Sequence, residues 1–276
     1  MNDHCVAKES IRIGELAATV FSPEQPKAVT VVLPGFSDGR KHPFTANLCG
    51  YLAARGIATI GFDPRGLWES IDPEVGREEP AKHTQSNFQQ DIDAVVRYAH
   101  RRHQGLPLAL GGFCYGGYSA AHYAARNQSV DYLFAVSPTR DSIWGGEYLV
   151  EKDTSWRERG MREFEFVDRV NKRLGVFRTK FTRILPYSLV EDERHHNLGV
   201  ILPYIQQPTL FIAATKDQVI PRETVEESFA SCGAKDKQYV LLPIKHDFFD
   251  SRRQTRRVND AVFRFIAAKS NISAGC

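Results

Sequence analysis

Short runs of β-branched and apolar residues alternate with longer amphipathic stretches along most of this chain. Ala28–Leu33 (AVTVVL), Ile57–Phe62, Leu108–Phe113 and Tyr132–Val136 are continuous apolar runs of strand length. That is the pattern of strands covered on both faces. Between them, Thr45–Arg55 reads as a helix closed by Gly56. In Gln85–Arg102, Phe88, Ile92, Val95, Val96 and Ala99 recur at spacings of three and four, which predicts a second helix. Gly116–Arg126 reads as a third, rich in small residues. Thr209–Ala214 and Tyr239–Leu242 resume the strands, and Arg222–Ser231 and Val258–Ala268 the helices. Strand and helix in strict alternation imply parallel crossovers, so the fold class is α/β, with a doubly wound and mostly parallel sheet.

The rhythm breaks between residues 139 and 206. This stretch is rich in charge and in aromatic residues, among them Trp144, Trp156, Phe164, Phe166, Phe177 and Phe181, and it carries no continuous buried run. The expected organisation is a core in two parts, 1–138 and 207–276, with 139–206 as a helical cap or lid. A long segment between core strands is more often a binding element than a passive loop. Trp144 and Trp156 are its candidates for lining a substrate pocket.

Composition narrows the classes of function. With 276 residues, 42% hydrophobic and 25% charged, the chain has the balance of an ordinary globular protein. A net charge of +3 gives no argument for nucleic acid. No apolar run reaches the roughly 18–20 residues that span a bilayer. The N-terminal MNDHCVAKES lacks the apolar core of a signal peptide, so the expected location is cytoplasmic. Cys5, Cys49, Cys114, Cys232 and Cys276 are scattered and odd in number, which speaks against a disulfide framework or a zinc site. No histidine sits in a metal-ligand spacing such as H-E-x-x-H, so no metal site is expected.

The most informative stretch is Leu108–Ser119, LALGGFCYGGYS. A buried strand runs into Gly112-Phe113-Cys114-Tyr115-Gly116 and then into a helix. This is the G-x-S-x-G nucleophile elbow with Cys in the place of Ser. The nucleophile of such an elbow sits on a strained strand-to-helix turn, and its neighbours must be small. The helix N-terminus beyond it favours a thiolate. An orienting acid and a histidine should follow in that order. Asp217 lies beyond the strand Thr209–Ala214, before Pro221, and His246 lies between the last strand and the closing helix. The expected triad is Cys114, Asp217 and His246. One oxyanion donor is the backbone N–H after the nucleophile, Tyr115. The other comes from the loop after the first strong strand, at Phe36 in Leu33-Pro34-Gly35-Phe36-Ser37-Asp38-Gly39.

With elbow, acid, histidine and oxyanion loop in this order, the chain resembles the α/β-hydrolases over about three quarters of its length. Gly112-Phe113-Cys114-Tyr115-Gly116-Gly117 resembles the G-x-C-x-G-G of dienelactone hydrolases. Phe62-Asp63-Pro64-Arg65-Gly66 resembles the D-x-R-G turn of esterase-like and peptidase-like members, where it is structural. The resemblance implies a hydrolase that cleaves a small or medium acyl ester, lactone or thioester through a covalent Cys acyl-enzyme. An acyltransferase or cyclase would use the same triad, because a thioester is open to amines and thiols. A binding protein that kept the fold without the chemistry is a third possibility. The implied partner is a small-molecule acyl substrate, and the implied chemistry needs no metal or organic cofactor; composition adds the expectation of no nucleic acid and no membrane span.

Overall fold

The computed structural model describes residues 6–140, 155–172 and 175–272. Trp144 lies outside the described residues. The described chain opens with an antiparallel hairpin, β1 (Val6–Ile13) and β2 (Leu16–Pro23), turning over Gly14 at φ +60°. The hydrophobic pattern gives no sign of β1. Lys8, Glu9 and Arg12 interrupt it, because it is an edge strand with one neighbour.

The strands expected from the sequence follow: β3 (Ala28–Leu33), β4 (Ile57–Phe62), β5 (Leu108–Phe113) and β6 (Tyr132–Val136). After an insertion come β9 (Thr209–Lys216) and β10 (Lys237–Lys245). Among the described residues these form an eight-stranded sheet in the order β1-β2-β4-β3-β5-β6-β9-β10, parallel from β4 to β10. On one face α2 (Gln85–Arg102) and α3 (Tyr115–Arg126) bury Phe88, Ile92, Val95 and Tyr118 against Val29, Val31 and Leu110. On the other, α1 (Pro43–Ala53) and the C-terminal helix Arg252–Lys269 bury Phe44, Leu48, Val262 and Ile266 against Val32, Ala109 and Ile212. Alternate strand residues thus feed two cores, which is why the strands read as unbroken apolar runs.

The insertion differs from the helical cap that the sequence suggested. Among the described residues its main element is a long antiparallel hairpin, β7 (Met161–Lys172) with β8 (Gly175–Pro186). Short helices flank it: α4 (Ser155–Arg159), α5 (Ser188–Glu193) and α6 (Leu198–Ile201). The reason lies in the period. Glu163-Phe164-Glu165-Phe166 alternates charge with aromatic residue, and Glu163 and Glu165 are exposed while Phe164 is half-buried. Period two is the signature of a strand with one covered face. Lys180 pairs with Glu165 across the ladder at 2.7 Å.

Two glycines bring α3 against the end of β3. A Cβ on Gly116 would stand 2.4 Å from the Pro34 carbonyl oxygen and 2.6 Å from that of Leu33. One on Gly112 would stand 2.6 Å from the Leu33 oxygen and 2.7 Å from the Gly116 carbonyl carbon. Backbone cannot retreat as a flexible side chain can. Gly116→Ala should therefore destabilise the protein by about 1–3 kcal/mol in urea unfolding. Gly50, inside α1, faces open space. Gly50→Ala should stabilise by about 0.5–1 kcal/mol through lost chain entropy. Equal midpoints for the two variants would show that the close approach at Gly116 is unimportant.

Candidate active site

β5 delivers Cys114 to the top of the sheet. Its backbone stands at φ 52°, ψ −116°, and the residue caps the N-terminus of α3. A non-glycine residue in so sparse a region costs about 1–3 kcal/mol, and the surroundings must hold it there. Here the Cys114 N–H donates to the Val136 carbonyl at 2.9 Å, and the Tyr118 N–H donates to the Cys114 carbonyl at 3.0 Å. One bond ties the turn to β6, the other to the first turn of α3. The thiol is left half-buried.

Asp217 follows β9. Its Oδ1 accepts from the Val219 and Ile220 amides at 2.9 and 2.8 Å, and its Oδ2 lies 2.9 Å from His246 Nδ1. Burial opposes its charge, but the bond from His246 and these two amides hold the carboxyl below its ordinary range. His246 follows β10, whose register shifts between Leu242 and Lys245. Pro243, which has no N–H to give the ladder, lies inside that irregularity and marks where the strand leaves its neighbour. The imidazole packs on Phe113 at 4.7 Å between ring centres. Its Nδ1 is hydrogen-bonded to Asp217, and the Cys114 sulfur lies near enough to favour its charged form. Burial disfavours that charged form, yet the two contacts and the negative charges of both partners prevail, and its pKa rises from 6.5 to about 10.

The loop after β3 lies beside the elbow. Phe36 packs edge-on against Tyr115 at 5.3 Å. Gly35 to Asp38 form a turn closed by the Asp38 N–H on the Gly35 carbonyl at 3.1 Å, with Phe36 and Ser37 as its central residues. Ser37 has φ +64°. That left-handed value suits glycine and costs any other residue about 1–2 kcal/mol. The next turn is structural, as the D-x-R-G resemblance implied. Asp63 pairs with the buried Arg40, and Arg65 donates to Asp91 through its amide at 3.0 Å and its Nε at 2.6 Å.

The structure thus brings Cys114, Asp217 and His246 together, with Phe36 and Tyr115 alongside. Trp156 behaves otherwise. It is fully buried, packs with Leu185, Tyr187, Leu189 and Val190, and donates its indole N–H to the Leu185 carbonyl at 3.1 Å. A ring with no accessible surface anchors the insertion rather than lining a pocket. Sequence reasoning also missed His83, which is buried against Phe36, Phe88 and Tyr115 at 5.1–5.7 Å. Burial and the charge of Arg183 lower its pKa to about 3, so it packs as a neutral ring. His196 lies in a charged stretch yet is buried against His122 and Ser86. Among the described residues no group of three or more His, Cys, Asp or Glu is arranged to hold a metal ion, and no helix is long and apolar enough to cross a membrane.

A parallel sheet of this topology with a strained elbow at its centre defines an α/β-hydrolase, an enzyme. The family model described as serine aminopeptidase, S33 matches residues 24–161, half of the chain, and the chain belongs to that family. The family takes its description from a serine, whereas this elbow carries Cys114. The fold is similar to that of Est1E from Butyrivibrio proteoclasticus with ferulic acid bound, at 17% identity and TM-score 0.69, over 94% of this chain and 98% of that one. It is similar to mouse alpha/beta hydrolase domain-containing protein 10, at 17% and 0.69, over 96% and 99%. Dienelactone hydrolase from Anabaena variabilis matches at 15% and 0.63, over 97% and 99%. At these identities the likeness is one of fold. No curated protein matches the chain in sequence.

The raised pKa of His246 depends in part on the sulfur. In Cys114→Ala the influence of Cys114 is gone while burial and Asp217 remain, so the pKa should fall well below about 10. Histidine NMR titration of the two proteins checks this. Identical curves would refute the coupling.

Proposed function

We propose that this esterase-like hydrolase cleaves a small or medium acyl ester, lactone or thioester through a thioester on Cys114. The observation that carries the reading is the chain Cys114–His246–Asp217, with 2.9 Å between the histidine and the acid and the sulfur on a strained elbow. The proton that the thiol loses rests on His246, and Asp217 holds the imidazole with Nδ1 turned toward the carboxylate. The sulfur attacks the carbonyl carbon, a C–S bond forms, and the carbonyl electron pair moves onto oxygen. The Phe36 and Tyr115 N–H groups receive that oxyanion, each donor contributing about 3–4 kcal/mol. The tetrahedral adduct collapses, the leaving group departs with the proton from His246, and the acyl group stays on Cys114. Water then enters, gives a proton to His246, attacks the thioester and releases the acid together with the free thiol.

His246 as a strong base fits this sequence. It keeps its proton through the neutral range and loses it only as pH rises through about 10. The acid that protonates the leaving group is therefore present across the neutral range.

Intact mass spectrometry after incubation with p-nitrophenyl butyrate and an acyl thioester tests the reading. An adduct of the acyl mass should appear on wild-type protein and not on Cys114→Ala, which should turn nothing over. Wild-type-like activity in that variant would sink the assignment. Asp217→Asn should preserve the geometry and lower kcat by roughly 10²–10⁴-fold. A loss smaller than tenfold in that variant counts against Asp217 as the orienting acid.

A further inference from the structure

The oxyanion loop is held by a residue that the insertion supplies. Arg183 lies on β8, and its side chain is only 2% exposed. Its Nη1 donates to the Ser37 carbonyl at 2.8 Å and to the Ser37 hydroxyl oxygen at 2.6 Å. The other edge of the guanidinium grips Glu78, with Nε to Oε2 at 2.9 Å and Nη2 to Oε1 at 2.6 Å. Its face lies over Trp68 at 5.0 Å and Phe181 at 4.6 Å. Trp68 closes the circuit. Its indole N–H donates to the same Ser37 carbonyl at 3.1 Å, and its backbone N–H to Glu78 Oε1 at 3.0 Å.

Two of the circuit's donors, Arg183 Nη1 and the Trp68 indole, end on the one residue of the turn whose backbone is strained, and Glu78 ties the two together. Ser37 follows Phe36 directly, and its left-handed φ fixes how the turn closes and hence where the Phe36 amide points. Arg183 holds Ser37 at both its carbonyl and its side chain, so neither ψ nor the side-chain rotamer is free to relax. A fork with two separated edges is needed to hold Ser37 and Glu78 at once, and lysine has none.

We propose that Arg183 is the positioning residue of the oxyanion hole: it locks Ser37 in the left-handed turn and so aims the Phe36 N–H at the carbonyl under attack. This rests on the reading of Cys114 as nucleophile and Phe36 as donor. A consequence is that the insertion takes part in the chemistry.

The test separates a reaction that develops an oxyanion from one that does not. Acylation by p-nitrophenyl butyrate, read as the pre-steady-state burst, needs the hole. Alkylation of Cys114 by iodoacetamide is a displacement at carbon and needs only the thiolate. In Arg183→Met, acylation should fall by about 10²-fold, the order seen when an oxyanion donor is lost, with KM nearly unchanged. The alkylation rate should stay within about twofold of wild type, because the Cys114–His246 pair is untouched. Arg183→Lys, which keeps charge and stem, should show the same split with a smaller loss of acylation, and it carries the test if Arg183→Met does not fold. Acylation unchanged in a folded variant overturns the proposal. So does a parallel fall of acylation and alkylation, which would make Arg183 a support of the whole site. If iodoacetamide does not label Cys114 in the wild-type protein, the nucleophile reading itself fails, and this proposal with it.

Discussion

The arrangement of this site depends on one close approach of backbone to backbone. The helix that begins at Tyr115 lies so near the end of β3 that Gly116 has the Leu33 and Pro34 carbonyl oxygens where a Cβ would stand. No side chain fits there, so the spacing is set by main-chain atoms alone. That contact puts the turn at Cys114 and the loop at Phe36 into one rigid frame. The elbow's strained backbone is sustained by the frame, because Cys114 is also bonded to β6 through Val136 and to the helix through Tyr118. Packing on both faces of the sheet then has only to keep the strands in register for Cys114 and the Phe36 loop to stay aligned.

Much of this was legible in the chain because burial on two faces writes itself as continuous apolar runs. The strands from Ala28 to Val136 and the helices Gln85–Arg102 and Arg222–Ser231 have the bounds that periodicity suggests, while β9 and β10 run past theirs. Asp217 and His246 were legible because topology fixes the order in which such residues can follow an elbow. The edge strand Val6–Ile13 was not, since water on one side removes the constraint that makes a pattern. The insertion was misread for a related reason. Its alternating Glu and Phe residues carry a strand period, but charge and aromatic richness drew attention to composition instead of period. Arg183 was hidden altogether. Nothing in the local sequence of β8 distinguishes it from Arg178 or Lys180, and its role exists only through a partner far away in the chain.

The insertion is fastened to the core at two places of different chemistry. At the front is the charged circuit of Ser37, Trp68, Glu78 and Arg183. At the back, the Tyr118 hydroxyl donates to the carboxylate of Glu193 at 3.2 Å and to the His196 carbonyl, so α3 holds the segment that leads back to β9. Burial lowers the pKa of His122 to about 3 and also lowers that of His196, so this region stays uncharged on its histidines while Glu193 is buried among them. Between the two attachments sits the small core around Trp156. A segment tied at Arg183 and again at Glu193 and His196 to the loop and helix that flank Cys114 cannot move there as a hinged flap without disturbing both.

Ser37 and Arg183 are 146 residues apart in the sequence. A contact of that span forms late, after the chain between has been ordered. The first half of the chain already contains the elbow, the loop and the sheet strands that frame them. Asp217, His246 and Arg183 all come from the second half. During synthesis on the ribosome Cys114 and the Phe36 loop therefore emerge before any of these three. Under the proposed mechanism, acyl chemistry at Cys114 waits until the C-terminal strands have joined the sheet, a consequence of the order in which the polypeptide is made.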